Sequence, residues 1–281
     1  MSVDARRIAG RGATALAQGL LLANTLLVLL PMGFMVLSSF KTTREIFQRP
    51  FGWPASPSLR NYAAVWETAH FGVYFVNSVI VTVGAMLVIL MAGTLAAYAL
   101  GRYRFRGNDF LYLFFLSGIM VPIRLAIIPL FILMRDLRLL DTHWSLILVY
   151  AASGLSSAVF ILTGFFRALP QDLDSAARID GAGELNILMR VMLPLVRPAL
   201  AIVAVYNVIP IWNDFFFPLV FIHQDRLKTL PLGMTVFFGE FAANWALLFA
   251  GLTLAAAPVI GLYVLMSRQF IKGLTAGAVK G

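Results

Sequence analysis

Long apolar runs separated by short charged segments dominate the pattern of this chain. A transmembrane helix needs about 20 mostly apolar residues. Six runs meet this length, four of them free of charged residues: residues 12–40, 68–101, 142–166, 241–267, 110–134 and 198–224. The last two carry one charged residue each, Arg124 and Asp214. The pattern predicts an all-α membrane protein with six transmembrane helices.

The composition supports a membrane protein. The chain has 281 residues, of which 60% are hydrophobic and only 12% are charged. Ordinary soluble domains contain about 25% charged residues. A soluble globule of this composition would expose much of its apolar surface to water, so the bilayer is the natural solvent. The chain contains no cysteine, which excludes a disulfide framework and a cysteine-based metal site.

The net charge of +9 predicts an orientation in the membrane. Lysine and arginine lie between the apolar runs and not along one basic face, which argues against nucleic-acid binding. Cytoplasmic segments of membrane proteins are enriched in these residues. Their larger share falls on the inner segments when the N-terminus is placed inside. Both termini are therefore predicted to be cytoplasmic, and the apolar run after Arg11 is too long for a signal peptide.

The segment 167–200 concentrates charge in an otherwise apolar chain and must lie outside the lipid. Asp172 and Asp174 suit the positive end of a helix dipole. Gly181 follows an aspartate in a turn signal and can adopt the left-handed conformation that ends a helix. A second amphipathic run follows, and Pro194 is predicted to interrupt it. This helix-turn-helix, on the predicted cytoplasmic side, is expected to contact a soluble partner.

Part of this segment resembles the EAA loop of ABC-importer permeases. The family pattern is E-A-A-x-x-x-G, nine residues, then I-x-L-P; Ser175 stands at the place of the glutamate and Val191 at that of the isoleucine. Asp172 lies one turn before Ser175 and shares its helix face. The resemblance implies a coupling helix that sits in a cleft of an ATPase subunit. The implied coupling residues are Asp172, Asp174, Ser175, Ala176, Ala177, Asp180, Gly181, Ala182, Glu184 and Pro194.

Further stretches extend the resemblance over most of the chain, from about residue 61 to the end. Residues 75–78 and 96–102 resemble the start and end of the second helix in these permeases. Residues 212–215 resemble a motif of the carbohydrate-importer permeases, and residues 270–281 resemble the tail of those similar to the smaller membrane subunit of the maltose importer. In that group the tail reaches the ATPase dimer interface, which implies docking by Lys272, Gly273 and Lys280.

Two charged residues lie within predicted membrane helices. On continuous helices with a rise of about 1.5 Å per residue, Arg124 and Asp214 would lie roughly 22–26 Å from the inner boundary. An intramembrane charge is costly unless it is paired or hydrated. A salt bridge between the two and a place along the translocation path are both compatible with this pattern. Trp212 and Asn213 join them as candidates for the path, since an indole face beside polar groups suits a sugar.

The resemblance implies the fold of a type I ABC-importer permease in the inner membrane of a bacterium. Its expected parts are residues 1–70 (N-terminal segment, first helix and periplasmic loop), 71–268 (the permease core, with the coupling loop at 167–200) and 269–281 (the cytoplasmic tail). Expected partners are a second homologous permease, an ATPase dimer, a periplasmic or extracellular solute-binding protein and a sugar-like substrate.

The chain is expected to be a transport subunit and not an enzyme. It lacks the G-x-x-x-x-G-K-[ST] loop that cradles nucleotide phosphates, so no cofactor is expected in this chain. ATP and magnesium would be bound by the partner ATPase. The alternative is an ion-coupled secondary transporter that acts alone, with Arg124 and Asp214 as a relay. Such a carrier has no need of the EAA-like loop.

Overall fold

The computed structural model describes the backbone of residues 3–68, 70–235 and 244–278, and the side chains of residues 14, 16–67, 70–235 and 244–265. Every regular element in this part of the chain is helical, so the all-α prediction is confirmed. The α-helices are α1 Val3–Ser39, α2 Thr43–Gln48, α3 Arg60–Thr68, α4 Phe71–Arg102, α5 Asn108–Met120, α6 Ile127–Asp136, α7 His143–Ala168, α8 Asp172–Ile179, α9 Glu184–Asn186, α10 Leu193–Leu195, α11 Arg197–Trp212, α12 Phe216–Phe221, α13 Leu230–Gly233 and α14 Trp245–Ala278.

The chain divides into two compact units. One comprises Met1–His70 and Val236–Leu254, and the other comprises Phe71–Thr235 and Ala255–Gly281. In the first unit, the segment that the sequence predicts as a loop after the first helix contains the two short helices α2 and α3. The start of α2 is fixed by a capping box, in which Thr42 and Glu45 each bond the other's backbone N–H.

Four helices of the described residues are long and apolar enough to cross a membrane: Leu16–Ser39, Phe71–Arg102, His143–Ala168 and Trp245–Leu265. Two bent helix pairs raise the number to six if each pair counts as one span. The chain is thus a multi-pass membrane protein. The bent pairs coincide only in part with the continuous spans that the sequence predicts at residues 110–134 and 198–224.

The span predicted at residues 110–134 is broken, which corrects the depth assigned to Arg124. Helices α5 and α6 meet at 84° across a 3₁₀ turn, Ile123–Ala126. Pro122 follows Val121, whose ψ of 114° is extended. A proline disfavours the helical conformation of the residue before it and lacks an N–H for the helix ladder. A depth calculated along one continuous helix therefore does not apply to Arg124.

The prediction that Pro194 interrupts its helix is also wrong. The chain remains helical through α9, a π-helical stretch at Ile187–Met192 and α10, and Pro194 lies in the first turn of α10. Pro194 lacks an N–H for the helix ladder, and the chain accommodates it directly after the π-helical stretch without leaving the helical conformation. The bend of 77° comes later, between α10 and α11 at Val196.

Close packing between α4 and α7 forms the centre of the second unit. A Cβ at Gly93 would lie 2.7 Å from the Cβ of Ala158, and one at Gly101 would lie 2.9 Å from the Cβ of Phe166. Small residues at such points let two membrane helices approach closely. Helix α11 packs against both α4 and α7. The three helices hold the residues of the two candidate sites in place.

Candidate functional sites

The EAA-like segment forms a helix and a turn as the sequence predicts. Helix α8 spans Asp172–Ile179, and Gly181 follows with a φ of +79°. This conformation is strained for residues with a Cβ, which explains a glycine at the turn. The side chains of Asp172, Ser175 and Ala176 are exposed along α8. They are free to face a partner, and their role in ATPase coupling stays a prediction.

Asp174 differs from the other predicted coupling residues because it is buried. Its side chain is 7% exposed and forms a salt bridge with Arg102, the last residue of α4, whose side chain is 2% exposed. The guanidinium also donates to three backbone carbonyls that follow or end α7: Phe166, Leu169 and Pro170, at 3.0, 2.8 and 2.9 Å. Asp174 therefore attaches α8 to its own chain, and the structure leaves it no surface for a partner.

Glu184 makes a second attachment beyond the turn. Its carboxylate accepts hydrogen bonds from Arg178 Nε at 2.8 Å and from the hydroxyl of Tyr103, which follows α4. These bonds, the one from Arg178 first, lower the pKa of Glu184 to about 2. Burial, and then the hydrogen bond to Glu184, raise the pKa of Tyr103 above its ordinary value. Glu184 is thus ionised at neutral pH and holds the turn against the end of α4.

Three large apolar side chains around the Gly181 turn are exposed, and the sequence-based predictions do not include them. Ile179, Leu185 and Met189 are exposed by 85%, 68% and 56%. The first ends α8, and the other two lie past the Gly181 turn. The signal was available, since these are the apolar positions of an amphipathic segment outside the lipid. Leu185 and Met189 line an apolar groove together with Met91 and Leu95 of α4.

The second site is a cavity of about 440 Å³ in the second unit. Its lining comes from the α5–α6 break, α7, α11 and the start of α12. The polar side chains that line it are Arg124, Tyr150, Ser153, Ser157, Tyr206, Asn207 and Asp214. Most of the remaining wall is apolar. A pocket with a largely apolar wall and a few polar groups is the usual form of a small-molecule site.

Asp214 occupies the gap between α11 and α12 and is buried. Tyr150 of α7 donates its hydroxyl to Oδ2 of Asp214 at 2.7 Å, and the backbone N–H of Phe217 donates to the same oxygen at 3.1 Å. The N–H of Phe216 donates to Oδ1 at 3.4 Å. The carboxylate therefore satisfies the free donors at the start of α12 and binds that helix to α7.

Arg124 forms a salt bridge with Asp214. The sequence predicts such a pair as compatible with a place along the translocation path. Nη2 of Arg124 lies 3.5 Å from Oδ1 of Asp214, and the guanidinium lies 5.9 Å from the ring centre of Phe216. The side chain of Arg124 is nevertheless 70% exposed, against 6% for Asp214. The long pairing distance and the exposure leave guanidinium donors available to the cavity.

The cluster of four predicted path residues is not assembled as one site. Trp212 is buried, and its indole N–H donates to the carbonyl of Ala255 at 3.1 Å. Its ring packs edge-on against Phe75 of α4 at 5.7 Å. Asn213 is exposed and does not line the cavity. Neighbours in sequence point in different directions around the end of a helix, so only Arg124 and Asp214 meet in the cavity.

Five polar residues of the cavity are absent from the sequence-based predictions: Tyr150, Ser153, Ser157, Tyr206 and Asn207. Asn207 donates to Ser157 Oγ at 3.2 Å and to the carbonyl of Val203 at 2.9 Å, and it joins α11 to α7. An amide within an apolar helix is a signal that could have identified it, because a polar group in lipid needs a partner. The pairing of Tyr150 with Asp214 depends on the tertiary structure.

The remaining predictions concern docking by the tail and metal binding. The backbone of Lys272 and Gly273 lies within α14, but their side chains are not among those that the structure describes. Lys280 lies outside the described residues. Docking by the tail therefore stays a prediction. Across the described ranges, no group of histidine and acidic side chains could hold a metal ion.

The fold and the two sites define a multi-pass membrane permease. Several helices are long and apolar enough to cross a membrane, a cavity with a few polar groups lies between α7 and α11, and a charged helix-turn-helix follows α7 in the chain. Residues 89–268 match the family described as "Binding-protein-dependent transport system inner membrane component". The chain belongs to this family. Its membership confirms the resemblance to ABC-importer permeases that the EAA-like loop indicates in the sequence.

Individual relatives agree with the family. The diacetylchitobiose uptake system permease protein NgcG of Streptomyces coelicolor is 37% identical over 269 residues, which cover 95% of this chain and 89% of that protein. The melibiose/raffinose/stachyose import permease protein MelC of Bacillus subtilis is 33% identical over 253 residues, covering 90% and 91%. A solved bacterial ABC transporter involved in import of the acidic polysaccharide alginate has a chain that superimposes with a TM-score of 0.80 at 25% identity, covering 96% and 99%.

Proposed function

We propose that this chain is one transmembrane subunit of an ATP-driven importer of a sugar or sugar-like solute, in the inner membrane of a bacterium. The observation that carries the proposal is the helix-turn-helix around Gly181, where Asp172, Ser175 and Ala176 of α8 are exposed. Relatives named as permeases for diacetylchitobiose and for melibiose, raffinose and stachyose support the carbohydrate class. Both termini would lie in the cytoplasm, and the helices would form six spans.

The proposed division of labour places ATP hydrolysis on partner subunits. An ATPase dimer, which binds ATP and magnesium, would receive the α8 surface with Asp172, Ser175 and Ala176 toward it. Ile179 and Leu185 add apolar area that would be buried on docking. A second homologous permease and a solute-binding protein on the opposite side of the membrane complete the complex. Closure of the ATPases would move α8 and rock the membrane helices between inward-open and outward-open states.

The cavity between α7 and α11 is proposed as part of the solute path. It is large enough for a sugar unit, and it offers hydroxyl, amide and guanidinium groups on a mostly apolar wall. Arg124 is exposed to it, whereas Asp214 is occupied by Tyr150 and the start of α12. In this proposal Arg124 contacts solute hydroxyl groups, and Asp214 maintains the wall of the path.

The first experiment is co-purification followed by an assay of transport. The chain is expressed with its neighbouring genes, captured by a tag in mild detergent and reconstituted in lipid vesicles. ATP hydrolysis is measured with and without the co-purified binding protein and with diacetylchitobiose, melibiose or raffinose. A second permease and an ATPase that is stimulated by one sugar are the expected result. A lone chain that moves solute on an ion gradient would refute the proposal and favour the secondary transporter.

A further inference from the structure

We propose that Arg102 is the positioning residue that makes the coupling helix α8 move together with the membrane helices α4 and α7. The inference rests on the proposed function and adds to it the contact through which a movement of α8 would be transmitted to α4 and α7. Nothing in the EAA-like pattern points to Arg102, which lies 72 positions before its partner Asp174.

The geometry at Arg102 joins three helices through one side chain. Nε and Nη2 contact Oδ2 of Asp174 in α8, while Nη1 and Nη2 donate to the carbonyls at the end of α7. Arg102 itself is the last residue of α4. The final carbonyls of a helix have no partner within the helix and carry partial negative charge. A planar cation with several donors satisfies them together, whereas a lysine, with three donors on one nitrogen, cannot reproduce this arrangement.

Burial makes the attachment strong. The side chain of Arg102 is 2% exposed and that of Asp174 is 7% exposed, so solvent screens the pair only weakly. Breaking such a pair would leave an uncompensated buried charge, which is far more costly than losing a pair on the surface. A displacement of α8 is therefore cheaper when α4 and the end of α7 follow than when the three separate.

A second contact prevents α8 from pivoting about Arg102. Past the turn, Glu184 is held by Arg178 and by Tyr103, the residue that follows Arg102. The hydroxyl of Tyr98, one turn earlier in α4, also lies 3.4 Å from the Glu184 carboxylate. The helix before the turn and the helix after it are thus both bonded to the same end of α4.

Helices α7 and α4 connect the contacts of Arg102 to the cavity. Helix α7 carries Tyr150, which bonds Asp214, and Ser157, which bonds Asn207 of α11. Helix α4 packs closely against α7, because Gly93 and other glycines lack the Cβ that would keep the two helices apart. A shift of α7 transmitted through Arg102 would therefore act on the polar wall of the proposed solute path.

Three variants test the proposal. Arg102→Met removes every donor and keeps an apolar stem, Arg102→Lys keeps the charge with fewer donors, and Asp174→Asn removes one charge while the carbonyl contacts remain. The matched control is Arg104→Gln, because Arg104 is exposed two residues further on and its substitution also removes one positive charge. Each variant is purified in the complete complex and reconstituted in lipid vesicles.

The first readout does not depend on the solute. The chain has no cysteine, so spin labels at Arg106→Cys and Gln171→Cys are the only labels this subunit carries. Both positions are exposed, and Gln171, which directly precedes α8, is not among the residues proposed to face the ATPase. The distance distribution between the two labels should be narrow in the parent and broad in Arg102→Met. The second readout is the number of ATP molecules hydrolysed per sugar imported. It should rise by roughly tenfold in Arg102→Met, within the usual range of coupling between sites, and less in Arg102→Lys and Asp174→Asn.

An unchanged number of ATP molecules hydrolysed per sugar imported in all three variants would overturn the inference. If Arg102→Met does not assemble, Arg102→Lys and Asp174→Asn decide: a raised ratio in an assembled complex supports the role, and parental ratios in both refute it. A mere structural role would lower the amount of complex without changing the ATP used per sugar. Failure of the proposed function looks different, because the parent complex would then show no ATP-driven uptake at all.

Discussion

Two glycines of α7 differ in their surroundings, and this difference makes a quantitative prediction. A Cβ at Gly154 would lie 2.7 Å from Oδ1 of Asn207 and would also overlap the side chain of Ile89. At Gly164, on the same helix, an added Cβ would have no heavy atom of another described segment within 4 Å. Asn207 cannot easily withdraw, because its amide is fixed by bonds to Ser157 and to the backbone of α11.

The expected magnitudes follow from two opposing terms. Replacing a glycine inside a helix by alanine stabilises it by about 1 kcal/mol. Overfilling a packed core destabilises by about 1–3 kcal/mol. Gly164→Ala should therefore stabilise the protein by about 1 kcal/mol. The helix term is common to both variants and cancels, so Gly154→Ala should be less stable than Gly164→Ala by about 1–3 kcal/mol.

The measurement is thermal unfolding of each variant in the same detergent. A change of 1 kcal/mol corresponds to roughly 2–4 °C in Tm for a chain of this size class. The two Tm values should thus differ by several degrees, with Gly154→Ala the lower. Gly154→Ala should also reduce solute uptake, since it displaces Asn207 in the cavity wall. Equal Tm shifts in the two variants would refute the packing of α7 against α4 and α11 at this level.

Three further outcomes follow from named contacts. Tyr150→Phe removes a hydrogen bond to a buried carboxylate and should destabilise the protein by about 1.5–3 kcal/mol, as measured by thermal unfolding. Tyr206→Phe is the control in the same cavity. Equal loss of stability in the two variants would contradict the bond from Tyr150 to Asp214. Gly181→Val forces a β-branched residue to adopt a positive φ. The complex should still assemble, but the number of ATP molecules hydrolysed per sugar imported should rise. Normal sugar uptake would count against a role of the Gly181 turn in coupling. The folded pKa of Glu184 is lowered, so its attachment should hold at every pH above the ordinary glutamate value and weaken only as pH falls toward 2. A spin label at Gln171→Cys, directly before α8, that becomes more mobile between pH 8 and 6 would contradict this.

Much of the fold could be predicted from the order of residues, because lipid imposes long apolar helices. Residues 142–166 were predicted as a span, and α7 covers His143–Ala168. The left-handed turn at Gly181 was also predicted, since an Asp-Gly pair between amphipathic segments leaves few conformations. The breaks beside Pro122 and at Val196 were not, because a proline can end, bend or begin a helix according to the packing around it.

The candidate sites divide in the same way. Sequence alone determined the class of protein, and it indicated the segment proposed for ATPase coupling and the unusual charges Arg124 and Asp214. Each of these follows from a local pattern or from the cost of a charge in lipid. Only the tertiary structure decided which partners these residues have. It places Tyr150 in the cavity and Trp212 outside it, and it pairs Asp174 with Arg102. Contacts between residues far apart in the chain depend on helix rotation and packing, and these are set by the whole fold and not by any one segment.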